Sequence, residues 1–572
     1  MPGFLLAALL SLSDPVPGIV NAYIETWFAT FPSRATEAGR QGFDEKLESL
    51  PPRQRAEWLE FNRRTAARLR TALAAPGLPR SDRLDAELLL RQADRVAFEW
   101  GTRKLPERDP LFWTEILANA HVYLLVRDDL PFAERHRRAR ARAKGIPRLA
   151  AEARRALSKA PSSELAPELC GLAATQARAT AAFYREGFAA SASALSPQAE
   201  ASAGAIGKAA AKSLENLSAF LEETARHATG SPRLGPLYAE SLRLGTGVTT
   251  PVASLLAEAE AALAAKKKEA AEYGRSVWRE IVPGEPVPEG DATVLSRLFA
   301  RIAEDHASSV PEFVEDYRSL VSKVDAYLHA HPVVTLPDPL TVRIDVSPAY
   351  FSGQSVGGVY PAGPYAPESK TLFFLPTPPD DATQAQRDAF FRDFNHNFNV
   401  MITPHEILPG HYLQAKVAAR SPHKVRALFP DGVFVEGWGT FCERLLLDLG
   451  WGGPLPRLAH LKKQMENIAR TIVDIRVHAT GMSREEVLLF VREEALQDER
   501  FAANMWTRAI TTSPQITTYW LGYRELRALY DEAKAARGAS FSLKAFLDGV
   551  LDAGPVPVPR IRDGLLPQPP AR

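Results

Sequence analysis

The chain has 572 residues, 45% of them hydrophobic and 24% charged, with a formal net charge of +1. That length suffices for two domains or one large helical body, and near-neutrality removes any global electrostatic case for nucleic acid or an anionic membrane. Only two cysteines, Cys170 and Cys442, are present, which excludes a disulfide framework and a multi-cysteine zinc site.

Residues 1–17 include "FLLAALLSL", an apolar run like the core of a secretory signal, but no Lys or Arg precedes it. This segment is read as signal-like or flexible. It implies an exported or periplasmic protein if it is a signal, and a cytoplasmic one otherwise. No later stretch approaches the roughly 18 apolar residues of a membrane span, so a soluble folded body is expected.

Residues 18–335 are rich in Ala, Leu, Glu, Arg and Lys at helical spacing and form the helical N-terminal region. The basic run "RHRRARARAKG" (135–145) reads as a solvated helix face. "APGLPRS" (75–81) and "VPGEPVPEG" (282–290) are breaks between helices. Between them, "TTPVASLLAEAEAAL" starts a helix with Thr250 as N-cap and Pro251 as its first residue, its apolar stripe being Leu255, Leu256, Ala259 and Leu263. No fixed-period repeat occurs, which argues against a solenoid.

Residues 336–572 form the expected catalytic region. "LTVRIDVSP" (340–348) alternates like a half-buried strand, and "TLFFL" (371–375) is a second strand within a Pro/Gly-rich stretch. Helical pattern then resumes to about residue 553, before a Pro-rich tail. The predicted fold is mainly α, with a small β element directly before the chemistry-bearing motif.

That motif is "TPHEILPGHYLQ" (403–414). Zinc peptidases often carry two histidines four residues apart on one helical face. Here His405 and His411 are six apart, roughly 240° around an ideal helix. Pro409, however, has no N–H for the His405 carbonyl and crowds that turn, while Gly410 permits backbone angles that other residues resist. The pair can break the helix and swing His411 back toward His405. Glu406 then stands beside the first ligand as a general base.

A third ligand is expected from "GVFVEGWGTFCERLLLDLG", read as a helix. Glu436 lies among apolar residues where an unpartnered carboxylate is costly, and Glu443 is two turns further along the same face. Six of the twelve histidines fall between 396 and 478, about three times an even share, which also favours a site there.

"HEILPGHYLQ", "EGWGTFCE" and "SPQITTYWLG" together resemble the bacterial domain of unknown function 885 family, regarded as gluzincin-type zinc metallopeptidases. The likeness extends over nearly the whole chain. It implies a helical body around a deep channel that admits short peptides, zinc held by His405, His411 and Glu436, and Glu406 as base. The chain departs from the family pattern at Tyr412 (often His), Arg476 (usually Gly) and Ala509 (usually Tyr).

Further candidates flank this set. Arg470, Asp474 and His478 recur every four residues, so Asp474 could orient His478 toward substrate or an oxyanion, or the three could form a salt-bridged stack. Ser513 and Pro514 read as the start of a helix whose face carries Gln515, Tyr519 and Tyr523. Tyr519 is the candidate oxyanion donor, Arg508 a candidate for holding a substrate carboxylate, and Gln515 and Tyr523 further substrate contacts. The expected activity is zinc-dependent hydrolysis of short peptides. Two alternatives compete with it. One is a serine hydrolase built on Ser355 in "GQSVG" with Asp474 and His478, although no helix can follow that serine immediately. The other is a non-catalytic helical binding protein.

Overall fold

Prolines open many of the helices. Pro52, Pro110, Pro167, Pro197 and Pro454 stand at first helical positions, where a missing N–H has no intrahelical partner to lose. The structure is a computed structural model that describes residues 15–347, 357–379 and 381–566. Ser355 lies outside the described residues. Apart from one three-stranded sheet, the described elements are helices, as the residue pattern predicts.

The predicted helix near residue 250 runs Val252–Ile281; Pro251 takes the cap position and Thr250 makes no cap bond. Leu255, Ala259 and Leu263 are buried, and Leu256 is partly buried. The basic run forms helix Phe132–Ala143, but Arg142 is not solvated. It is buried and donates to the Ala120 and Phe43 carbonyls and the Thr36 hydroxyl.

The strands are β1 (Val342–Val346), β2 (Gly358–Tyr360) and β3 (Thr371–Leu375), in sheet order β1-β3-β2. β1 runs parallel to β3, pairing Val342 with Thr371, and β2 runs antiparallel, pairing Val359 with Phe373. Every residue of the central β3 is buried, which accounts for its unbroken apolar run. β2 forms an edge of the sheet.

Two large cores hold the molecule together. One gathers helices between Val16 and Ala228 and takes in Val425 and Phe429. The other runs from Trp278 to Ile561. Helices Asp291–Ile302 and Val310–Ala330 therefore pack with the C-terminal half, so the change of texture near residue 332 marks where strands begin and not where the second core begins. A cavity of about 1420 Å³ lies between the halves, with Trp27, Trp58 and Trp100 on one side and Phe398, His405 and Glu436 on the other. Among the described residues no helix is long and apolar enough to cross a membrane.

Candidate metal centre

Helix α1 (His396–Glu406) ends on His405 and Glu406, and α2 (His411–Arg420) begins on His411. Between them the chain leaves helical register: Ile407 turns to φ −113°, ψ −85°, the Leu408–Pro409 peptide is cis, and Gly410 sits at φ −75°, ψ −133°. A Cβ on Gly410 would stand 1.9 Å from the His405 carbonyl oxygen, which leaves no room for a side chain. The break brings the two imidazoles to a centroid separation of 4.5 Å at 83°. Pro404, inside α1, has no N–H for the Val400 carbonyl, and Trp451 Nε1 donates to that carbonyl instead at 2.9 Å.

Helix α3 (Gly432–Asp448) is capped by Asp431, which accepts from the Phe434 N–H at 2.8 Å. It directs Glu436 at both histidines, with Oε2 lying 3.6 Å from His405 Nε2 and 3.6 Å from His411 Nε2. Trp438 Nε1 donates to the Pro409 carbonyl. Gly439 makes space for the His405 ring, since a Cβ there would come within 2.7 Å of it. Glu443 accepts from His405 Nδ1 at 2.7 Å and from His460 Nδ1 at 2.9 Å, so of the two acids on this face it orients and does not point at the pair of histidines.

This arrangement fits a metal ion. When His405 is neutral and its Nδ1–H donates to Glu443, its Nε2 presents a lone pair toward a Glu436 oxygen, so that two electron-rich atoms face each other and call for a cation between them. Their 3.6 Å separation is too long for a hydrogen bond. It approaches the edge, about 3.4 Å, of a tetrahedron with zinc–ligand bonds near 2.0–2.1 Å. One ligand atom from each of His405, His411 and Glu436 lies within 4.8 Å of the other two, and this is the sole such group among the described residues. His411 Nδ1 is buried without a hydrogen-bond partner among them.

In the metal-free protein a proton on the imidazoles takes the cation's place. Burial disfavours charge on Glu436, but the two imidazoles outweigh it and hold the carboxyl well below its usual range. Burial likewise opposes the His405 imidazolium, and Glu436 and Glu443 outweigh it and raise that group well above its usual range. Glu443 is lowered to about 2 against its burial by hydrogen bonds from His405 and His460. His460 itself is lowered, chiefly by burial, and holds Glu443 as a neutral donor.

Glu406 lines the cavity at the end of α1. Among the described residues its carboxylate has neither a hydrogen bond nor an ion pair, which leaves it available as a base.

The flanking candidates divide. Ser513 follows helix Glu499–Thr512 and donates to Asp474 at 3.2 Å, and a short turn over Gln515–Thr517 precedes helix Thr518–Arg537. Ser513 and Pro514 thus do not start the predicted helix. Gln515 Nε2 donates to Glu436 Oε1 at 3.1 Å, and Arg508 Nη2 donates to Gln515 Oε1 at 2.6 Å. Arg508 is therefore tied to the candidate ligand through Gln515 and is not the free carboxylate receptor expected. Tyr519 lines the cavity and accepts a long bond, 3.5 Å, from Arg508, which leaves its own proton to donate. Tyr523 does not line the cavity; it packs against the second core near Arg444, and burial raises its hydroxyl.

His478 is corrected too. Its Nδ1 accepts from the Leu234 N–H at 3.1 Å and its Nε2 donates to the Ala509 carbonyl at 2.9 Å, so both ring nitrogens are committed. Burial lowers its pKa to about 4. Asp474, 3.9 Å from Nε2, accepts instead from Tyr238 at 2.8 Å and from Ser513. His478 is therefore not available as the base of the alternative serine hydrolase.

Lys463 and Arg470, both on α4 (Pro454–Ile475), also line the cavity. Lys463 is not singled out in the sequence, and Arg470 is singled out there only in a row with Asp474 and His478. Their spacing of seven, two helical turns with Glu466 between, is the signal that places them on one face.

The fold and site together define a mainly helical protein with a His2Glu candidate metal centre opening on a large cavity. The chain belongs to the DUF885 family, bacterial proteins of unknown function, whose profile matches residues 32–565. Two solved structures share the fold. One, from Shewanella oneidensis, is provisionally described as a lipoprotein of unknown function; it is 24% identical, with a TM-score of 0.78 over 97% of this chain and 100% of that one. The other, from Colwellia psychrerythraea and provisionally described as a lipoprotein, is 16% identical, with a TM-score of 0.75 over 97% of this chain and 99% of its own. No protein of curated function matches the chain.

Proposed function

We propose that the protein is a zinc-dependent peptidase acting on short peptides. The observation that carries this reading is the convergence of His405, His411 and Glu436 beside Glu406, a carboxylate on the wall of a large cavity that has no partner among the described residues. Zinc held by those three residues would supply Lewis acidity toward a water and toward the substrate carbonyl.

The chain's own groups account for the remaining roles. Gly357, Gly358 and Val359 line the cavity at the sheet edge, where an extended peptide can pair with β2 by backbone hydrogen bonds. Glu406 takes the proton of the attacking water and delivers it to the leaving nitrogen. Tyr519 donates to the oxygen on which negative charge develops. Arg508 and Gln515 fix one Glu436 oxygen, and Glu443 fixes the His405 ring, so the donor set is oriented before substrate enters. A non-catalytic binding protein has no use for an unpaired Glu406 beside such a set. Cleavage of a mixed pool of short peptides, abolished by a chelator and restored by zinc, is the expected result; an intact pool under both conditions would contradict the reading.

A further inference from the structure

Lys463 and Arg470, on the cavity wall, share one carboxylate behind it. Glu466 accepts from Lys463 Nζ at 3.1 Å and from Arg470 Nη2 at 2.6 Å. The side chains of all three are about nine-tenths buried or more, at 11% exposure for Lys463, 10% for Arg470 and 5% for Glu466. A third cation joins them: the Arg470 and Arg508 guanidinium groups lie 4.5 Å and 5.6 Å from the centre of the Tyr519 ring. Three cations thus gather about one carboxylate, two of them bonded to it and Arg508 acting on it through space. Burial, and then the charge of Arg470, lowers the Lys463 ammonium below its usual range. An enclosed excess of positive charge is costly until an anion joins it.

The neighbouring charges cancel this excess only in part. Glu436 and Glu443, two carboxylates, match a divalent cation in the centre itself, and Glu406, on the same cavity wall, offsets one surplus charge and leaves another. On the opposite wall Arg34, Arg91 and Arg95 have their own carboxylates in Glu37, Asp431 and Glu99, and Arg103 lies near Asp109. The cluster on α4 is also close to the chemistry. Arg508, which shares the Tyr519 ring with Arg470, is linked through Gln515 by two hydrogen bonds to the candidate ligand Glu436.

We propose that Lys463 and Arg470 seat the free α-carboxylate of the residue on the leaving side of the scissile bond, so that the protein removes C-terminal residues from short peptides. This rests on the peptidase reading above. The reaction balances as a hydrolysis: the water oxygen bonds to the acyl carbon, the C–N bond breaks, and the water proton reaches the leaving amine by way of Glu406. The opposite mode, removal of N-terminal residues, needs a spare carboxylate by the centre for the substrate ammonium. Glu466 is already matched by cations, and Glu406 is taken by the base role.

The test uses zinc-loaded protein and three N-acetylated tripeptides. One ends in leucine as the free acid, one in leucine amide and one in glutamate α-amide. Hydrolysis is followed by product analysis, and binding to Glu406→Gln by calorimetry, which does not depend on turnover. The free acid should show at least tenfold higher kcat/KM than the leucine amide and bind at least tenfold tighter. Lys463→Gln should erase that preference with zinc content unchanged, and Arg470→Lys should reduce it. Equal handling of acid and amide, no binding of either, or a preference that survives Lys463→Gln overturns the proposal. So does a glutamate α-amide peptide that matches the free acid, since the cluster would then read a side-chain carboxylate. If acid and amide are cleaved alike, the peptidase reading stands and the carboxylate seat falls. If the acid binds tightly but nothing is cleaved, the seat stands and the peptidase reading falls.

Discussion

Trp438 Nε1 donates to the carbonyl of Pro409 across 2.8 Å, so the residue that interrupts the helix between the two histidines is held by a side chain next to the third candidate ligand's motif. The two sequence motifs are thereby one structural unit: the break that swings His411 back is locked onto the helix that delivers Glu436. Trp438→Phe keeps most of the packing and leaves a buried carbonyl without its donor, a loss of about 1–3 kcal/mol. The expected outcome is a folded protein whose zinc affinity falls roughly tenfold. Unchanged affinity in a competition titration would show that Pro409 is held without the indole.

Glu436 and Glu443 should separate cleanly. Glu436→Ala removes a candidate ligand and should lower metal occupancy sharply. Glu443→Gln leaves the three ligands but loosens the His405 ring, with an expected loss of about 10- to 100-fold in affinity and retained stoichiometry at saturating zinc. Paired metal titrations that gave the reverse order would mean that the ligand assignment is two helical turns in error.

Tyr519→Phe should lower kcat on the order of 10²-fold, with zinc content and substrate binding little changed, because the phenol donates only once charge has developed on the oxygen. His478 bridges the Leu234 and Ala509 backbones, so His478→Ala should lower thermal stability more than it lowers the turnover of the folded fraction. A near-native rate for Tyr519→Phe would assign the oxyanion to another donor.

Asp474 links stability to pH. Burial, the largest influence, raises its carboxyl to about 7, although Tyr238 and Ser513 donate to it. A folded pKa above the unfolded value means that the folded protein holds a proton which the unfolded chain releases between about pH 4 and 7, so stability from this group falls across that window as pH rises. Asp474→Asn should therefore match the parent near pH 4 and exceed it by on the order of a few kcal/mol above pH 7. Thermal melts at both pH values check this, and an equal shift at each would contradict it.

The chemistry of the motif was legible wherever it is local. A proline without an N–H and a glycine without a side chain announce the break between His405 and His411, whatever surrounds them. "TLFFL" was equally plain, because a strand buried on both faces needs no alternation. β2 was not, since three residues beginning with glycine carry no apolar pattern and exist as a strand only by pairing with β3. Tyr523 shares a helix face with Tyr519 but lies one turn farther along, against the second core near Arg444, and how far along a helix a cavity extends is set by the elements packed over it. Lys463 was invisible for another reason. Whether a helix cation faces solvent or a cavity is decided by the opposing half of the molecule, which contributes Trp27, Trp58 and Trp100 from far upstream.

The central claim is that ligand and base are separate groups on adjacent residues. Metal content and peptide turnover measured together on Glu406→Gln, His405→Ala and His411→Ala test it most directly. The account predicts one zinc per chain and no turnover for Glu406→Gln, with little zinc and no turnover for either histidine variant. Full turnover by Glu406→Gln, or full zinc occupancy in both histidine variants, would contradict it.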